Sequence, residues 1–92
     1  MVYKQVVIAN EAGLHARPAV LFVQEAQKFK SKITVHKGDK QADAKSILGV
    51  MSLAVTKGTS ILIVAEGEDE KEAVECLVNL INNKFGEGSN DV

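Results

Sequence analysis

The chain has 92 residues, of which 46% are hydrophobic and 25% charged, and it carries a net charge of −1. That is enough chain for one core without staples, burying roughly 60–70% of its unfolded surface, and too apolar for a disordered segment. The charge gives no general pull towards nucleic acid or anionic membrane, and no apolar run nears the ~18 residues of a transmembrane helix.

Residues 2–9, "VYKQVVIA", are β-branched and roughly alternating, which predicts a strand with Val6 and Ile8 inward. "NEAG" breaks it. Ala19, Phe22, Val23 and Ala26 then recur at helical spacing, predicting a helix over 16–28 with Gln24, Glu25, Gln27 and Lys28 on its wet side. "KITVH" reads as a second strand with Ile33 and Val35 inward and His36 out of phase on the surface. "HKGDK" carries a hairpin signal, and "KQAD" is a short third strand.

"SILGVMSL" predicts a short apolar helix opened by Ser46 and ended by "TKGTS". "ILIVA" is the most hydrophobic strand and should be central. Asp69 with Glu72 three residues on makes a capping-box pattern for a last helix, whose stripe is Val74, Leu77, Val78, Ile81 and Phe85. The tail is polar, and residues 89–92 are expected to fray beyond a single domain over 1–88. The order of elements predicts an α+β sandwich, a small antiparallel sheet with helices on one face.

Chemistry gathers at "AGLHARPAV". A helix beginning near Ala16 puts His15 at or beside its N-cap, where the first N–H groups lack internal partners and the dipole is positive. Phosphate finds donors there. Arg17 adds a permanent cation with a planar donor fork, Pro18 fits the first turn at no hydrogen-bond cost, and Gly13 lets the loop bend. A helix end stabilises an exposed anion by only about 0.3–1 kcal/mol, which suits a relay better than a tight binding site. Imidazole is a nucleophile near neutral pH without an activating base. By spacing alone, a plain capping or surface histidine explains His15 equally well.

Metal binding would need further ligands at ligand spacing, and none are present. Hydrolysis would need an orienting carboxylate, and Glu11 is the only nearby one. Ser46 is a natural N-cap, and a phosphate there would add charge to this surface. Cys76 lies beside an apolar stripe without a basic neighbour, so packing is its expected role. As the lone cysteine it excludes an internal disulfide framework and leans towards a reducing cytoplasm.

"GLHARPA" followed by "KSILGVMSL" resembles HPr, the histidine-containing phosphocarrier family of the bacterial sugar phosphotransferase system, over residues 2 to 85. The resemblance implies an open-faced sandwich of four antiparallel strands and three helices, ordered βαββαβα. It implies that His15 is phosphorylated, that Arg17 steadies the charge, and that Ser46 is the regulatory serine of the Gram-positive type. The implied partners are Enzyme I and Enzyme IIA, with an HPr kinase/phosphorylase and a catabolite-control repressor acting through Ser46. The chain would be a stoichiometric carrier rather than an enzyme, without cofactor, nucleic acid or membrane insertion, and cytoplasmic. Some relatives lack the histidine and act only through the serine; His15 is present here.

Partners must reach His15, so Ala16, Ala19, Val20, Ile47, Leu48 and Met51 are candidate contact residues, with Met51 suited to several partners. Core positions remain open for Ile47 and Met51. Leu62 and Val64 should lie on the uncovered sheet face near Val7, where polar residues are usual. A monomer is expected, with sheet-face dimerisation as the alternative.

Overall fold

The computed structural model describes residues 1–86; the predicted frayed tail lies outside them. Its elements in chain order are β1 (Val2–Val7), α1 (Ala16–Ala26), β2 (Lys32–Lys37), β3 (Lys40–Asp43), α2 (Ile47–Ser52), β4 (Ser60–Glu66) and α3 (Glu70–Asn82), followed by a 3-10 turn at Lys84–Gly86. The four strands form one antiparallel sheet in the order β1-β4-β2-β3.

Strand alternation decides which face is buried. Ile33 and Val35 of β2 and Ile61, Ile63 and Ala65 of β4 point towards the helices and are sealed from solvent. They meet Ala19, Phe22, Val23 and Ala26 of α1 and Ala73, Val74, Leu77 and Ile81 of α3. Each large aliphatic side chain so buried contributes roughly 1.5–3 kcal/mol before entropy is set against it. Interior β4 lies between β1 and β2, as its hydrophobicity predicts. β2 and β3 join through Gly38 and Asp39, with Gly38 at φ 60° and Lys37 paired with Lys40.

The edges of several elements differ from expectation. β1 ends at Val7 rather than at residue 9, and Val6 is only half-buried. Ile8, though beyond the strand, still plugs the core. α1 stops at Ala26, where Gln27 caps it, so Lys28 lies outside the helix. Phe85 is buried but sits in the 3-10 turn at φ 54° rather than on the α3 stripe, and Val78 is half-buried.

The Asp69–Glu72 capping box does not form. Asp69 makes no cap bond to α3; its carboxylate accepts from the backbone N–H groups of Lys30 and Ser31, at 2.8 and 2.9 Å, and from the Ser31 hydroxyl. Glu70 instead reaches back to the Gly67 N–H at 3.0 Å and pairs with the N-terminal amine at 2.9 Å. A buried Ser31 needs its donors satisfied more than the partly buried helix start needs a cap. Long-range demand therefore overrides the local pattern.

Leu62 and Val64 face away from the helices and are half-buried. Their cross-strand neighbours on β1 are Gln5 and Tyr3, whereas Val7 pairs with Ser60. His36 lies on the same face beside Thr34, as expected for an out-of-phase residue, with its ring 3.2 Å from the Thr34 hydroxyl.

Candidate functional site: a histidine at the start of the first helix

The loop between β1 and α1 is tied at both ends. The Asn10 carbonyl accepts from the Gly13 N–H at 3.2 Å, and the Asn10 side-chain amide donates to the Gly13 carbonyl at 2.9 Å. Asn10 is buried, and its Oδ1 finds no partner among the described residues. Leu14 is fully buried and donates its N–H to the Val55 carbonyl at 3.0 Å. Gly13 is required here: it sits at φ 63°, and a Cβ would lie 2.3 Å from the Val55 oxygen.

His15 follows at the N-cap, extended at φ −126° and ψ 158°, and its ring makes no capping hydrogen bond. It is half-buried. Ala16 enters the helix at φ 52°, a left-handed conformation that costs a non-glycine residue roughly 1–2 kcal/mol. Pro18 is buried in the first turn. Arg17 is exposed and has no carboxylate partner among the described residues. Glu11 is held by Lys57 at 2.6 Å, and that hydrogen bond and charge keep its carboxyl below the ordinary value. The hydrolytic alternative thus loses its only nearby carboxylate to a lysine.

Ser46 is the N-cap of α2: its hydroxyl accepts from the Gly49 N–H at 3.0 Å. The helix buries Val50 and turns Leu48 (82% exposed), Ile47 (41%) and Met51 (38%) outward. On α1, Ala16 is exposed and Val20 half-buried. Ala19 is corrected from the expected contact rim: it is fully buried, because its helical phase matches Phe22 and Val23.

α2 packs on α1, and two contacts fix its direction. The Gln27 side chain at the far end of α1 donates to the Lys45 carbonyl just before Ser46, while Val55 beyond α2 meets Leu14 just before His15. His15 and Ser46 therefore lie towards opposite ends of α1.

Among the described residues, no three His, Cys, Asp or Glu side chains come close enough to hold a metal ion, and no helix is long and apolar enough to cross a membrane. Burial and the nearby Glu25, Glu72 and Glu75 push the Cys76 thiol up, away from reactivity. Sequence reasoning missed Asn10, although N-x-x-G is a turn signal, and it missed Val55, which no local pattern marks.

The family model "PTS HPr component phosphorylation site" matches residues 2–83. The chain belongs to the PTS HPr family. Among its relatives, the "HPr-like protein Crh" of Halalkalibacterium halodurans is 50% identical over 91% of this chain and 100% of that one. The "Phosphocarrier protein HPr" of Haemophilus influenzae is 53% identical over 88% and 95% respectively. The crystal structure of HPr from Thermoanaerobacter tengcongensis superposes with a TM-score of 0.93 at 54% identity, covering 95% of this chain and 98% of that one. The open-faced sandwich of the HPr fold is thus shared, and membership places the chain among phosphocarriers rather than turnover enzymes.

Proposed function

We propose that this protein relays a phosphoryl group through His15, accepting it from phosphoenolpyruvate-charged Enzyme I and passing it to Enzyme IIA components. The observation that carries this reading is an uncapping histidine: His15 holds the N-cap position of α1 while its ring stays out of the helix's hydrogen bonds. In the step, a ring nitrogen forms the new P–N bond as the bond to the donor breaks. Arg17 and the first-turn N–H groups stabilise the added negative charge. Ala16, Val20, Ile47, Leu48 and Met51 supply the docking surface.

Ser46 is the regulatory site in this reading, modified by an ATP-dependent HPr kinase/phosphorylase and then read by a catabolite-control repressor. Phosphorylation at Ser46 acts on His15 by charging the shared docking surface. The carrier works as a monomer in the cytoplasm, as one domain over residues 1–88.

Incubation with phosphoenolpyruvate and Enzyme I is the test. The protein should gain an acid-labile phosphate that His15→Ala abolishes. The similarity to Crh, whose Bacillus subtilis form is called a catabolite repression HPr, favours a second reading: an adaptor in catabolite repression that does not itself transfer phosphate. Acid-stable labelling alone, dependent on ATP and lost in Ser46→Ala, would establish that reading instead.

A further inference from the structure

Three consecutive carbonyls leave the end of α2, two of them held by one lysine and the third by a backbone N–H. Lys37, the last residue of β2, donates its ammonium to the Leu53 carbonyl at 2.9 Å and to the Ala54 carbonyl at 3.0 Å. The third carbonyl, of Val55, accepts the Leu14 N–H at 3.0 Å and occupies the space that Gly13 leaves by lacking a Cβ. Between them Ala54 sits at φ 54°, a conformation its side chain disfavours.

A helix of six residues cannot hold itself. Ser46 fixes its front, and no residue within α2 puts a positive charge on its last turn. The Lys37 ammonium supplies that charge from the end of β2, at the negative end of the helix.

We infer that Lys37 is a positioning residue for phosphoryl transfer. By clamping the carbonyls of Leu53 and Ala54 it keeps Ala54 left-handed, which aims the Val55 carbonyl at Leu14 and sets the backbone from which His15 projects. The inference rests on the carrier reading for its functional consequence, while the clamp itself is a matter of geometry. Lys37 touches neither His15 nor the phosphoryl group; it acts through Val55 and Leu14.

The test compares wild type, Lys37→Met and Lys37→Arg by amide hydrogen exchange at Leu14 and by steady-state labelling with phosphoenolpyruvate and Enzyme I. Met keeps the aliphatic stem and removes the charge. In Lys37→Met the Leu14 amide should exchange roughly tenfold faster, as loss of a charge-assisted hydrogen bond implies. The kcat for labelling should fall at least about threefold with KM nearly unchanged, because the nucleophile is misplaced while the docking side chains remain. Arg, which can still bridge two carbonyls, should restore both.

Unchanged Leu14 protection in Lys37→Met overturns the inference. So does a rise in KM alone, which would make Lys37 a surface contact with Enzyme I, or a Lys37→Arg variant as impaired as Lys37→Met. A global loss of stability is recognised by faster exchange at Ile63 in the central strand as well, and faster exchange there equal to that at Leu14 also overturns it. A wild-type protein that Enzyme I cannot label overturns the carrier reading instead; the Leu14 amide still reports on the clamp in that case.

Discussion

Helices α1 and α3 both begin without a side-chain cap, for opposite reasons. At α3 the N-cap carboxylate of Asp69 is drawn across the molecule to satisfy Ser31 and Lys30, so its polar capacity is spent on holding the segment before β2 in place. At α1 the N-cap ring of His15 is drawn to nothing in the helix, while its surroundings are fixed on every side: Leu14 by Val55, Gly13 by Asn10, and Pro18 by burial. A missing cap bond means structural service in one place and a poised group in the other. What separates them is whether the neighbouring backbone needs the N-cap side chain.

The strongest way to break this comparison is to loosen the frame around His15. Gly13→Ala adds a methyl group against the Val55 oxygen at a φ that disfavours it, and should cost about 2–4 kcal/mol in urea unfolding. An unchanged urea midpoint would mean that the loop is not framed in this way. At α2, where the N-cap does serve its helix, Ser46→Ala should cost about 1 kcal/mol by the same assay, together with any ATP-dependent label.

Leu48→Ser sharpens the distinction between frame and surface. Because Leu48 is largely exposed, stability should stay within about 0.5 kcal/mol while labelling by Enzyme I slows through KM. A larger loss of stability would make Leu48 a packing residue.

At α3 the prediction depends on pH. Hydrogen bonds from the Ser31 hydroxyl, then from the Lys30 N–H, hold the Asp69 carboxyl below its ordinary value. A carboxyl lowered in the folded state adds stability that is fully present above its unfolded value of about 3.9 and is lost as pH falls through the folded value. Asp69→Asn should therefore be less stable than wild type at neutral pH, with the gap closing in acid. A gap that persists unchanged at low pH would show that the charge of Asp69 contributes nothing.

Much of this was legible along the chain because it depends on nearest neighbours. The alternation of Ile33 and Val35 and of Ile61, Ile63 and Ala65 marked the inner sheet face, and the spacing of Phe22, Val23 and Ala26 marked the buried side of α1. Ser46 acts as the N-cap that its residue type announces. Ala19 drew two readings, as part of the apolar stripe and as part of the contact rim, and its full burial decides for the stripe that its helical phase already marked. The ends of β1 and α1 were misplaced because strand and helix propensities fade gradually while hydrogen bonding stops at one residue.

The sequence by itself determined the fold class, the order of its elements and the placing of His15, Arg17 and Ser46 at helix starts, since these follow from periodicity and from the chemistry of single residues. Only the tertiary structure decided how those positions are used. Asp69 turned from its own helix to Ser31, Lys37 reached the end of α2 from β2, and the Val55 carbonyl closed on Gly13 and Leu14. Each of these joins residues distant along the chain through a buried donor or acceptor that must find a partner, and no local pattern can say which partner the folded chain will bring.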